Sequence, residues 1–181
     1  MFWGGTQGGL EIRQDGEAVR VAGRFPYDMR TELAPGYVET IAQGAFAPRV
    51  NENEDLHFLL GHDFEKPLAS RGAASLVVRS EAYALTFEAT VSAQTSWARD
   101  FMAAHAAGLI RGLSPGFRTR KGGEAITRDG DVMHRTITSA DLFELSAVTR
   151  AAYPSAQIEA RCWQAERPDS GLQRTLNRWR A

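Results

Sequence analysis

Short apolar runs separated by turn signals, rather than long periodic segments, dominate this chain and constrain its fold class more than any other feature. Residues 10–14 and 19–25 flank Asp15-Gly16, a two-residue turn signal that predicts a hairpin at the start. Residues 37–41 read as another strand, followed by a short helical turn near 45–50. The compact apolar run 56–61 predicts a strand buried on both faces. Residues 75–79 and 84–91 predict a second hairpin turning at Ser80, Glu81 and Ala82, and 109–119, 132–140 and 142–149 supply the remaining strands. The charged, glycine-bearing stretch 121–130 reads as an exposed hairpin loop. One helix stands out: Thr95 or Ser96 can cap it, Trp97, Phe101 and His105 recur at helical spacing, and Gly108 can close it. The expectation is a mostly β fold with peripheral helices, closed or nearly closed into a barrel.

A chain of 181 residues suggests one domain, and 43% hydrophobic residues suffice for a core. The net charge of -1 points to neither nucleic acid nor an anionic membrane. With Cys162 alone, no intrachain disulfide can form, which fits a reducing compartment. Residues 1–9 lack the basic and apolar regions of a signal peptide, and no stretch approaches the roughly 18 apolar residues of a membrane helix. The expected setting is the cytosol. Past Ala160 the character changes. Residues 166–171 read as a linker, and Leu172, Leu176 and Trp179 follow helical spacing among arginines. The division expected is therefore a domain over 1–160 and a basic tail over 161–181, either a small packing helix or a removable or partner-docking segment.

Three segments can carry chemistry. In Leu113-Ser114-Pro115-Gly116-Phe117, glycines two residues either side of Ser114 leave room for close approach of a substrate. Pro115 biases Ser114 toward extended geometry and removes one N–H. Any oxyanion donor must then come from elsewhere, such as Gly116 N–H, a water placed by Arg111 or another strand. His62 ends the apolar run 56–61, where an imidazole can be held in one orientation and still reach solvent, as a general base requires. Glu144 lies inside Leu142-Phe143-Glu144-Leu145-Ser146-Ala147-Val148, where a carboxylate is costly without a partner. Alternation places Glu144 and Ser146 on one face, between Leu142 and Val148. That partner is either an imidazole N–H or one of the many arginines. Strand parity sends His57 to the face opposite His62. His105 reads as packing, and His134 sits in a strand after the exposed loop. His57, His62 and Asp63 match no supported metal-ligand spacing, so no metal and no cofactor are expected.

In order along the chain, residues 25–46 with Gly44-Ala45-Phe46, Leu59-Leu60-Gly61-His62-Asp63 with Pro67-Leu68-Ala69, residues 108–117 around Leu113-Ser114, and 142–148 with Tyr153-Pro154 resemble the phage prohead (head-maturation) serine protease family. The resemblance spans about 21–158. It implies a β-barrel like that of herpesvirus assemblin, and cleavage of scaffold, or of the scaffold-like segment of the major capsid protein, inside the assembling prohead in the host cytoplasm. It implies Ser114 as nucleophile, His62 as base and Glu144 as third member, with Asp63 and Asp141 as nearby alternatives to Glu144. Self-cleavage of the tail and homo-oligomerisation stay open. Proline after the serine, where an aliphatic residue is frequent, and Ala69 in place of a common glycine depart from the family pattern. A non-catalytic capsid-assembly factor binding scaffold strands is the rival reading, and a hydrolase of small esters is a second.

Overall fold

The computed structural model describes residues 9–149 except 16, 17 and 53. The expected linker and basic tail, Cys162 and Tyr153-Pro154 lie outside the described residues, as does Gly16 of the first turn.

Twelve strands and two helices follow one another over the described residues, and the strands form three four-stranded sheets. In the first sheet, β1 (Gly9–Asp15) pairs antiparallel with β2 (Ala18–Pro26), closing at Asp15 opposite Ala18, so the expected first hairpin forms. Strand β2 continues onto β8 (Ala84–Ser92), and β8 onto β7 (Leu76–Ser80). Strand β8 shows why the chain folds this way. Leu85, Phe87, Ala89 and Val91 are buried while Glu88 and Thr90 are exposed, the period-two pattern of a sheet with one wet face.

The second sheet runs β10 (Glu124–Asp129), β11 (Val132–Ile137), β4 (Tyr37–Ile41) and β3 (Arg30–Ala34), with β11 and β4 parallel. Here the expected loop over 121–130 is corrected to a strand. Its residues from Ala125 to Asp129 are exposed on an edge, so it carries none of the apolar alternation that marks a half-buried strand.

The third sheet holds the candidate site. Its order is β6 (Asp63–Ser70), β5 (His57–Leu60), β12 (Ala140–Val148) and β9 (Gly112–Thr119). Strand β12 lies parallel to β5 and antiparallel to β9. Both prolines of this sheet, Pro67 on β6 and Pro115 on β9, sit on edge strands, where a missing N–H costs no ladder bond.

Helix α1 (Ala47–Asn51) falls where the short helical turn is expected. Helix α2 (Ser96–Ala106) is capped by Thr95, whose side chain accepts from Ala98 N–H, and Gly108 follows at φ +74°. No described helix is long and apolar enough to cross a membrane.

All three sheets and α2 contribute to one apolar core. Phe58 of β5 packs on Phe87 of β8 at 4.8 Å between ring centroids and on Phe101 of α2 at 6.0 Å. Phe46 meets Phe117 of β9 at 5.3 Å. Each fully buried phenylalanine of this kind contributes roughly 1.5–3 kcal/mol. The fold is mostly β, as expected. Among the described residues, however, no ladder joins the sheets into a closed barrel.

Candidate active site

The site is assembled on the face of the third sheet that turns away from the core. Leu145 and Ala147 of β12 and Leu113 of β9 point into the core, so Ser146 and Ser114 point the other way. Ser114 lies directly across from Ser146 in the antiparallel ladder. At such a pair the Cβ atoms stand about 4.5–5.5 Å apart. Both serines are fully buried.

A bulge sets the phase of β12. Leu142 pairs with Phe117 and Glu144 with Gly116, leaving Phe143 as the extra residue. The guanidinium groups of Arg49 and Arg118 lie 5.8 and 5.6 Å from the centroid of its ring. The bulge corrects the simple alternation: Leu142 joins Leu145 and Ala147 in the core, and Glu144 shares a face with Ser146 but not with Leu142.

His62 comes from the turn joining β5 to β6. Leu60 pairs with Asp63, and the two residues between them, Gly61 and His62, have φ of +65° and +63°. Two positive φ values in a two-residue hairpin loop mark a type I′ turn, which favours glycine and asparagine. Histidine there costs about 1–2 kcal/mol. Strain of this size persists where the surroundings over-determine it. Two hydrogen bonds dock the turn on β12: Gly61 N–H donates to Ala147 O at 3.0 Å, and His62 N–H to Ser146 Oγ at 3.0 Å.

His62 Nδ1 and Glu144 Oε1 are 2.8 Å apart, and Ser146 Oγ lies 2.5 Å from Glu144 Oε2. A carboxylate only accepts, so the short contact assigns the proton to Nδ1 and leaves Nε2 as the basic nitrogen. That Nε2 is buried and has no hydrogen-bond partner among the described residues. The Glu144 side chain is 4% exposed and that of His62 17%, so the pair is shielded from water without being sealed. Of the two partners the sequence leaves open for Glu144, the imidazole is the one it meets.

The alternative acids are engaged elsewhere. Asp63 binds Lys66 at 2.9 Å, and this hydrogen bond, more than the one from Glu65 N–H, holds its carboxyl below the ordinary carboxylate range. Asp141 binds Arg120 at 2.6 Å, and Arg120 also reaches Glu52; the two hydrogen bonds raise the guanidinium above its ordinary value. Of the other histidines, His57 pairs with Glu144 in the ladder and so shares its face, against the parity expectation, but its Nε2 lies 3.6 Å from Asp55 and its ring packs edge-on to Phe64. His105 bonds Ile110 O, and His134 bonds Arg30.

The sequence model of the Caudovirus prohead serine proteases matches residues 10–170. The chain belongs to that family. Neither a curated protein nor a solved structure matches it. Membership in the prohead serine proteases implies a serine peptidase that acts on capsid and scaffold proteins within the assembling prohead.

Three features of this family member escape a reading of the sequence alone. From the sequence, Gly116 leaves space for substrate; in the fold that space belongs to Glu144, because a Cβ at 116 would lie 2.8 Å from its carboxyl carbon. Pro115 turns to the opposite face from Ser114 and lines a small pocket with Phe25, Met29 and Phe117. Ser146, recognisable beforehand only as a face-mate of Glu144, touches both His62 and Glu144.

Proposed function

We propose that this chain is a serine endopeptidase in which Ser114 is the nucleophile, His62 the general base and Glu144 the residue that orients it. The observation that carries the reading is the Glu144–His62 bond at Nδ1, combined with a buried Nε2 that has no other partner among the described residues. An imidazole held in one tautomer with its second nitrogen uncommitted is what a proton acceptor for serine requires. The ladder adds that Ser114 stands one strand over on the same face, opposite the Ser146 that contacts this pair.

In the reaction, His62 Nε2 takes the hydroxyl proton as Ser114 Oγ attacks a peptide carbonyl. Glu144 stabilises the imidazolium that forms. The proton then passes to the leaving amine as the peptide bond breaks, leaving an acyl-enzyme. Water, deprotonated by His62, releases the acyl group and restores Ser114. The substrates are the scaffold or the scaffold-like segment of the major capsid protein. Excision of the 161–181 tail from the 1–160 domain is a further bond of the same kind. We read the three sheets around a shared core as an assemblin-like barrel whose ladders break between sheets.

Mass spectrometry of the capsid precursor, made with the intact chain and with Ser114→Ala, tests the reading. The intact chain should yield a shortened capsid protein, and the variant an uncut one. Full cleavage by a folded Ser114→Ala would remove the serine from the mechanism.

A further inference from the structure

We infer that Ser146 is a positioning residue that locks the backbone and the ring of His62 to the same strand. The inference rests on the reading of His62 as the base. The Ser146 hydroxyl has one proton and lone pairs, while an amide N–H can only donate and a carboxylate can only accept. Both bond directions are therefore fixed: His62 N–H donates to Ser146 Oγ, and Ser146 O–H donates to Glu144 Oε2.

The consequence is a closed loop of contacts. Glu144 holds the ring at Nδ1 through one carboxylate oxygen, Ser146 holds the other oxygen, and the same hydroxyl holds the His62 amide. The backbone of His62 needs this, because its φ of +63° is unfavourable for a residue with a side chain. The neighbouring Gly61–Ala147 bond docks the turn but does not reach position 62. Glu144 alone would fix the ring's tautomer while leaving its carboxylate free to turn about its own Cγ–Cδ bond. With Ser146 in place, the direction in which Nε2 points is determined by two contacts two residues apart on β12. A misplacement on the order of 1 Å at a base can cost roughly 100-fold in rate.

The test combines proton NMR with kinetics on the full chain. In the unsubstituted protein, a slowly exchanging Ser146 hydroxyl proton should show a cross-peak to the His62 amide. In Ser146→Ala, exchange protection should fall at the His62 amide and stay at Gly61. Cleavage should lose about 10- to 100-fold in kcat with KM nearly unchanged, as for lost orientation rather than lost binding. Ser146→Thr, which keeps the hydroxyl, should recover most of the rate. An exposed, fast-exchanging hydroxyl in the unsubstituted protein would overturn the inference even if the alanine variant fails to fold. Unchanged His62 protection and kcat in Ser146→Ala would overturn it too. Cleavage by His62→Ala would instead defeat the reading of His62 as base, and the exchange data would still report on the position of His62.

Discussion

Glu144 lies over the backbone of Gly116, so close that a Cβ at position 116 would stand 2.8 Å from the carboxyl carbon and 3.0 Å from Cγ. Two neighbouring strands thus share one volume, and the carboxylate has taken it. Gly116→Ala should push Glu144 off His62, costing about 1–3 kcal/mol of stability through overpacking. Cleavage should fall by roughly 100-fold because the base loses its orientation. Thermal melts and a capsid-precursor cleavage assay on the same preparation check both effects.

Removal of the nucleophile should exceed removal of its helper. Ser114→Ala should reduce cleavage by roughly a million-fold, and Glu144→Gln by roughly ten-thousand-fold. Single-turnover rates give the ranking, and a Glu144→Gln enzyme at full speed would return Asp63 or Asp141 to consideration.

Asp63 and Asp141 should matter to local stability and not to chemistry. Asp63→Asn and Asp141→Asn should each leave cleavage within about twofold, since the ion pairs they lose are exposed or partly so. For Asp63 the sign of the pH effect follows from its depressed pKa, caused chiefly by the hydrogen bond from Lys66. The contribution is whole above the unfolded carboxyl's value near ~3.9 and is lost as pH falls through the lower folded one. Urea melts of the Asp63→Asn variant should therefore differ from those of the parent at neutral pH and converge with them in acid.

Arg135 is the structural counterpart, a guanidinium 3% exposed that binds Glu39, Glu124 and Thr119. Arg135→Ala should cost about 3–5 kcal/mol, because it strips the buried Glu39 of its guanidinium. Denaturant unfolding measures this directly. The face carrying the proposed triad, on a different sheet, should keep its geometry in whatever fraction remains folded.

The sequence speaks clearly wherever one face of a strand is dry. Strand β8 and helix α2 are legible because Leu85, Phe87, Ala89 and Val91, or Trp97 and Phe101, repeat at the spacing of their element. Strands β6 and β10 are not, because Lys66, Pro67 and Arg128 lie on sheet edges, where solvent and free backbone groups tolerate them. Parity also misleads near the site. Counting from His57 to His62 assumes an uninterrupted strand, yet β5 ends at Leu60 and the turn at Gly61 redirects the imidazole. Residue types single out Ser114, His62 and Glu144 as candidates. The tie through Ser146 needed the register of β12 against β5, which only long-range pairing determines.

Phe143 is the supernumerary residue of β12, and its effect resembles a change of phase in a wave. Upstream of it the even-numbered side chains feed the interior; downstream they feed the face that meets His62. One strand thereby serves two masters in succession, and the switch point is an aromatic ring flanked by two cations. Regular pairing through Phe143, with no residue set outside the ladder, would swing the acid inward among hydrocarbon and bring a leucine toward the imidazole, so the location of one bulge decides which side chains this sheet presents to His62.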